Sequence, residues 1–564
     1  MIKLSPDPAI AEQEVEAIIF YLTALGYIDS EFDLTEKSFV RSFLRQLVTE
    51  RVDAQGPMDA EIRFEQIERQ HEHYVELFQQ VDHQVKEMFS EATTAEEDTT
   101  SFVISQLTVR CYELLAGLSE ENQQQLLQTV DELIHADGVV HPEELKFRNA
   151  LASSLGSAPL ADEGAGIAAP VAIQKPVELP PSKTDHPFFQ GFEHHYSTDP
   201  ARIRAQIEAD LRLLDQVEAK WDEQRSRGAG RLGSARTVAD LRGPELLDGH
   251  VHVVPPAALR DEDGKDRDYE LIVLGDLHGC YSCLKGAVMQ SRFMDKVRAF
   301  RNDPKNNPDV RLVLLGDYID RGRFSFNGVL RAVLKLYLAV PEHVFLLRGN
   351  HEYYIRYEGK VYGGVRPADA IQTLQPLLPD EVFERYLAFF EQIPNVLLYD
   401  NLFFVHGGIP RDQLLRDRWR GLASLNDPDM RFQMLWSDPS RADVIPDDLQ
   451  QSSARFAFGR VQFHNFMAKL GCSLMVRGHE KVNAGFKDHY PRDDLRLLTV
   501  FSAGGVANDD LPSDSNYRDV RPMALTIARS GGETRVTPWA IDYRSYQDPA
   551  RNAFFRVGDE LAES

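Results

Sequence analysis

Six short apolar runs, each closing on polar residues and glycine, recur through the second half of this 564-residue chain: LIVLGDLHG, RLVLLGDYIDRG, VFLLRGNHE, NLFFVHGG, LMVRGHE and LLTVFSAGG. Runs this short and this apolar read as buried strands, and helical stretches such as GVLRAVLKLYLAV lie between them. Buried strands alternating with helices specify an α/β fold, which places its chemistry on the loops leaving the C-terminal strand ends.

Those loops carry metal ligands. Five of them present Asp276 and His278, Asp317 and Asp320, Asn350 and His351, His406, and His479. A single Asp after a strand commonly caps a helix, and a lone His is commonly a core or surface residue. Five such loops, each beside glycine that lets backbone approach a ligand closely, form the pattern of a metal site. Carboxylate, imidazole and amide without thiolate argue against a structural zinc site. They suit two hydrolytic ions bridged by a shared carboxylate, of the kind that drives displacement at phosphorus.

The motifs GDLHG (275–279), GDYIDRG (316–322), LLRGNHE (346–352), FFVHGG (403–408), LWSDP (435–439) and RGHE (477–480) resemble, in the same order, those of the PPP-family serine/threonine phosphatases of the metallophosphoesterase superfamily. The resemblance spans about residues 269–545 and implies a β-sandwich flanked by helices, with the later segments LLTVFSA, RPMALTIARS and ETRVTPWAID among its strands. It also implies residue roles. Asp276 and His278 would hold a first metal, Asp317 would bridge, and Asn350, His406 and His479 would complete the second; manganese is the expected ion, with iron or zinc as alternatives. His351 would be the general acid, oriented by Asp320, and Arg321 and Asn350 would meet the phosphate. Two departures from the family pattern stand out. The second phosphate-gripping arginine has Ser452 at its ungapped position in QSSARFAFG, leaving Arg455 as the candidate substitute, and the tyrosine-bearing loop after FSA is replaced by GGVANDDLPSDSNY. RFMDKVRAFRNDPKNNPDV, between the first two motifs, reads as an insertion.

Residues 1–155 read differently. EVEAIIFYLTALG, KSFVRSFLRQLV, EQIERQHEHYVELFQQVDHQVKEMF and NQQQLLQTVDELIHA carry apolar residues at helical spacing. IDSEFDLTEKSFVRSF and ADGVVHPEELKFRNAL form a faint internal repeat, matching Asp29 with Asp137 and Glu36 with Glu144. These acidic turns resemble the tellurite-resistance TerB family, which implies a metal site at Asp137 and Glu144, joined by Asp29 and Glu36. The alternative is that the carboxylates cap helices. The pattern lacks the spacing of an EF-hand loop.

The expected organisation is therefore multidomain: an all-α TerB-like domain over 1–155, an Ala/Pro/Gly-rich linker over 156–183, a helical connector and flexible segment over 184–250, and an α/β metallophosphoesterase domain over 251–564. In the connector, Ile203, Ile207, Leu211 and Leu214 form one stripe of a helix near 200–224, and RSRGAGRLGSAR reads as flexible.

Charge narrows the partners. The chain carries 62 basic and 88 acidic residues, a net −26. Residues 1–160 hold 30 acidic against 11 basic, or −19 of that total. A nucleic-acid binder needs a basic footprint, so cations or a basic protein surface suit that end better. Four cysteines fit a reducing compartment. No signal peptide or membrane span is expected, giving a cytoplasmic protein of bacterial type. Cys280 and Cys283, following GDLHG, are either thiols activated at a helix N-terminus or small residues packed beneath the sheet. The expected activity is hydrolysis of phosphomonoesters, with phosphoproteins or phosphopeptides as substrates. A small-molecule phosphoesterase acting on diadenosine tetraphosphate, or a non-catalytic metal-sensing scaffold, are the alternatives.

Overall fold

The computed structural model describes residues 2–28, 32, 34–88, 99–136, 140–156, 160–164, 171–182, 185–261, 264–357, 360–365 and 379–556. The chain forms two compact units, one of Met1–Leu160 with Ser440–Arg460, the other of Ala161–Pro439 with Val461–Ser564.

The first unit is helical, with α1 (Pro8–Gly26), α2 (Leu34–Asp53), α3 (Ala60–Met88), α4 (Thr99–Leu115), α5 (Glu120–Ile134) and α6 (Pro142–Leu155). Asp7 starts α1 by accepting from the backbone N–H of Ala9 at 2.9 Å and of Ile10 at 3.2 Å, and Pro8 fills the first turn. The helix is then apolar almost all round. Val15, Ile18, Ile19, Tyr21, Leu22 and Leu25 are fully buried, so the other helices collect around it. One face of α4 is closed by a segment from far along the chain. Val109 packs with Ala442, Ile445 and Leu449, the hydroxyls of Ser105 and Ser452 lie 2.7 Å apart, and Gln106 Nε2 donates to the Arg455 carbonyl at 2.9 Å.

The second unit contains strands β1 (Val171–Ile173), β2 (Val177–Glu178), β3 (Leu246–Asp248), β4 (Val251–Val254), β5 (Tyr269–Leu274), β6 (Asp309–Leu314), β7 (Val344–Leu346), β8 (Val396–Tyr399), β9 (Leu402–Val405), β10 (Leu474–Arg477), β11 (Phe486–Asp488), β12 (Arg496–Val500), β13 (Met523–Ser530) and β14 (Glu533–Ala540). One sheet runs β1-β14-β13-β5-β6-β7, with β2 also on β14; the other runs β11-β12-β10-β9-β8-β4-β3. Alternation along the strands builds two cores. Leu271, Val273, Val313 and Phe345 meet Leu397, Phe404, Val476 and Leu498 between the sheets. Ile272, Leu274, Leu312 and Leu314 turn the other way, onto Leu284, Val288, Val333 and Leu336 of the covering helices. The sandwich flanked by helices is thus the fold expected.

Some segments expected to be loose are structured. β1 and β2, within the stretch read as linker, pair in parallel with the edge of β14. The helix α7 (Pro200–Gly228) buries Ile207, Leu214, Val217 and Trp221, whose indole stacks on Phe389 at 5.5 Å. It runs on through the first four residues of RSRGAGRLGSAR, and Leu232 beyond it is buried. Residues 293–302 of the insertion form a helix against β6 through Phe293 and Val297. No helix among the described residues is long and apolar enough to cross a membrane.

Candidate metal centre

Every predicted ligand loop leaves the C-terminal end of a strand at the same end of the sandwich. Asp276 and His278 follow β5, Asp317 and Asp320 follow β6, Asn350 and His351 follow β7, His406 ends β9, and His479 follows β10. Backbone strain concentrates there. Of seven described non-glycine residues at positive φ, five are His278, Asp317, Asp320, Arg321 and His479. Such conformations persist only where surrounding contacts over-determine them, which is characteristic of functional loops. Close approach needs glycine: a Cβ on Gly478 would stand 2.2 Å from Asp276 Oδ1, and one on Gly316 (φ +106°) would stand 2.3 Å from the Gly349 nitrogen.

The side chains converge on Asp317. His278 Nε2 lies 3.6 Å from Asp317 Oδ2 and 3.8 Å from Asp276 Oδ2, and His406 Nε2 lies 3.5 Å from Asp317 Oδ1. The Asn350 amide atom facing the cluster is 2.8 Å from His406 Nε2, 3.2 Å from His479 Nδ1, and 3.2 and 3.3 Å from the Asp317 oxygens. Asp276, Asp317 and His406 form one group of converging ligand atoms; His278, Asp317 and His351 form another, and Asp317 is common to both.

Burial sets the charges. It pushes the imidazoles of His278 and His406 well below the usual range, with neighbouring positive groups adding to the effect, so both stay neutral and able to ligate. Their approaches to Asp276 and Asp317 are therefore not ion pairs. Burial raises Asp276 to about 7 and Asp317 well above the ordinary carboxylate range, the latter with Asp276 adding repulsion. Asp276 Oδ2 is buried without a hydrogen-bond donor. An orphaned carboxylate oxygen, a second buried carboxylate and neutral imidazoles are unfavourable together unless a cation joins them. The donor set fits two divalent ions. His278 and His406 are aimed for this, each directing Nδ1 at a backbone carbonyl, of Ile319 at 3.1 Å and Leu315 at 3.0 Å, which leaves Nε2 toward the cluster.

His351 is tied differently. Its Nδ1 lies 2.8 Å from Asp320 Oδ2, and its Nε2 is 3.9 Å from Asp317 Oδ2. The Asp320 side chain is fully buried. Arg321 lowers the His278 and His351 pKa values and hydrogen-bonds Tyr517, whose ring lies 5.1 Å from His278. The NY of GGVANDDLPSDSNY thus supplies a tyrosine at the cluster, although the loop's length obscured it in the sequence. Glu352 accepts from the backbone N–H groups of Asp317, Tyr318 and Gly349, contacts that the GNHE motif alone did not disclose. Arg455 belongs to the first unit, where its carbonyl accepts from Gln106 Nε2 at 2.9 Å.

The described members of two other candidate sets are buried. Cys280 and Cys283 are fully enclosed, and burial pushes the Cys283 thiol up rather than toward thiolate, as expected of residues packed beneath the sheet. In the helical unit, Glu144 Oε2 accepts from the His141 N–H at 3.1 Å, capping its own helix, and Glu36 is buried in the first turn of α2. Asp29 and Asp137 lie outside the described residues.

With this geometry the comparisons with known proteins agree. A family model described as calcineurin-like phosphoesterase matches residues 269–483. A probable serine/threonine-protein phosphatase of Encephalitozoon cuniculi is 27% identical over 303 residues, 53% of this chain and 59% of that protein. This chain also resembles the serine/threonine-protein phosphatase 4 catalytic subunit of Eremothecium gossypii, 28% identical over 42% of this chain and 69% of that one. Serine/threonine-protein phosphatase PP1-1 of Saccharomyces cerevisiae is likewise 28% identical, over 41% and 68%. The PPP-family resemblance of the motifs is borne out by these relatives. Among solved structures, a cold-active protein-tyrosine phosphatase of a Shewanella species aligns with a TM-score of 0.28 and 16% identity over 47% of this chain and 80% of that one; so low a score carries no argument. The family model begins at residue 269, so the TerB resemblance of the helical unit rests on its own motifs.

Proposed function

We propose that the chain hydrolyses phosphomonoesters with two divalent cations, and that its substrates are phosphoserine and phosphothreonine residues of proteins. The observation that carries the reading is that Asp317 turns one oxygen toward His278 and the other toward His406, with the His351–Asp320 pair beside it. Asp276, His278 and Asp317 would hold one ion, and Asp317, Asn350, His406 and His479 the other. Manganese suits this oxygen and imidazole set, as iron and zinc do. The ions supply Lewis-acid charge, acidifying water and neutralising phosphoryl oxygens.

The chain's own groups do the rest. Arg321, on the same loop as Asp317, offers a planar fork matched to two phosphate oxygens. Water oxygen forms a bond to phosphorus as the bond to the serine oxygen breaks, and that leaving alkoxide needs a proton. Doubly protonated His351 gives it from Nε2 and keeps Nδ1–H on the Asp320 carboxylate, whose charge stabilises the imidazolium and steadies the ring. The names of the relatives and the GNHE sequence support protein substrates.

The test is phosphate release by manganese-loaded protein from p-nitrophenyl phosphate, a phosphoserine/phosphothreonine peptide set and diadenosine tetraphosphate, with Asp276→Asn as control. Metal-dependent release from the peptides, lost in the control, is expected. Cleavage of the dinucleotide alone would reassign the substrate class. Silence of the loaded protein on all three would leave a metal-binding scaffold and overturn the enzymatic reading.

A further inference from the structure

Two loops must be held at fixed separation for Asp317 to serve two ions, and one side chain spans them. Glu352 is completely buried. Its Oε2 accepts from the backbone N–H of Asp317 at 2.9 Å and of Gly349 at 2.9 Å, and its Oε1 accepts from the N–H of Tyr318 at 2.8 Å. The first and third donors lie on the loop after β6, the second on the loop after β7 that delivers Asn350 and His351.

The tie is reciprocal. Asp317 Oδ1 accepts from the His351 N–H at 3.0 Å, so each loop presents a carboxylate to the backbone of the other. The loops are pressed together so closely that a Cβ on Gly349 would stand 2.1 Å from Asp317 Oδ1. Glu352 is anchored in turn, its carbonyl accepting from Arg348 Nη2 at 3.1 Å, and the buried Arg348 pairs with Glu391 at 2.6 Å.

Asp317 needs such a clamp. It sits at φ +52°, a left-handed conformation that is unfavourable for a residue bearing a Cβ. Unclamped, it gains by rotating its peptide back, which would turn its carboxylate away from one ligand group. We propose that Glu352 is a positioning residue of the metal centre, a carboxylate clamp that holds Asp317 in the conformation from which it can bridge two ions. With the Ile319 N–H also reaching Oε1 at 3.4 Å, this span across both loops accounts for glutamate at this place. Aspartate is one methylene shorter and cannot reach both loops.

The inference rests on the two-ion reading above, and the experiment separates the two. Manganese binding to the full chain is measured by calorimetry, and the coupling between bound ions by electron paramagnetic resonance, for the wild type, Glu352→Gln and Glu352→Asp; melting of each metal-free protein reports folding. The wild type is expected to bind two ions with a spin-coupled spectrum; if it binds none, the two-ion reading fails whatever Glu352 does. Glu352→Gln turns an amide NH2 toward backbone donors and Glu352→Asp withdraws from one loop. Both are expected to lose 10- to 100-fold in manganese affinity and the coupled signal, as loss of a group that orients a ligand does. A lower melting temperature with affinity and coupling unchanged would make Glu352 merely structural and overturn the proposal. Hydrogen exchange on the metal-free wild type needs no variant: the amides of Asp317, Tyr318 and Gly349 should be protected, and exchange at the rate of open loops would overturn the clamp.

Discussion

Asp320→Asn isolates the proton-donating step from the metal ligands. Asp320 holds His351 Nδ1 at 2.8 Å with a fully buried carboxylate. Asparagine is close in size and tolerates the φ of +66° at this position, so the loop is preserved. What is lost is a charge-assisted hydrogen bond, worth about 1.5–3 kcal/mol, and the charge that stabilises a protonated ring. At 1.36 kcal/mol per factor of ten, kcat should fall roughly 10- to 150-fold for a phosphoserine peptide. p-Nitrophenolate leaves readily without a proton, so with p-nitrophenyl phosphate the same variant should lose only about 2- to 5-fold. Steady-state kinetics on both substrates, with manganese content checked by elemental analysis, reads the difference directly. Equal losses on the two substrates would refute the assignment of His351 as proton donor to the leaving group, and unchanged kcat on both would refute the pairing itself.

Three further outcomes follow from the same geometry. Asp276→Asn removes a buried carboxylate whose Oδ2 lacks a donor, so the metal-free protein should melt higher while manganese stoichiometry falls below that of the wild type; a lower melting temperature would contradict the orphaned-oxygen argument. Tyr517→Phe deletes the hydroxyl bonded to Arg321 but keeps the ring beside His278, so kcat/KM should drop about 2- to 10-fold with metal content intact. Asp510 is buried on Ser282, accepting from its N–H at 2.6 Å and its hydroxyl at 3.0 Å, and burial raises it to about 7. Its pKa in the unfolded chain is about 3.9. Between those values the folded state binds more protons than the unfolded one, so the group's contribution is present at low pH and is lost as pH rises toward 7. Asp510→Asn should flatten that part of the melting-temperature profile; parallel profiles for variant and wild type would sink the assignment.

The centre was legible because its ligands belong to loops that strands must place together. Once LIVL, RLVLL and VFLL are adjacent parallel strands, Asp276, Asp317 and Asn350 have to share one end of the sheet. Features set by burial or by distant pairing were less legible. The edge strand Val171–Ile173 is three residues in an Ala- and Pro-rich stretch, too short for any periodicity, and its hydrogen bonds are supplied by β14. Tyr517 reaches the cluster after a long loop, braced by Asp510 and Asn508, whose sequence departs from the family pattern. From its place near a helix start Cys283 reads either as an activated thiol or as a packed residue, and its complete enclosure favours the second. Arg455 lies close in sequence to the expected arginine position, and the Ser452 hydroxyl and Arg455 carbonyl meet Ser105 and Gln106 of α4.

That last arrangement bears on biosynthesis. α4 is complete once Leu115 has been made, but Ala442, Ile445 and Leu449, which cover Val109, come hundreds of residues later. At ribosomal rates of about 5–20 residues per second, the strip around Val109 stays open for roughly 15–70 s of each round of translation. The nascent helical body must therefore survive that interval with an apolar face uncovered, so its order of completion runs from the C-terminal half of the chain back to the beginning.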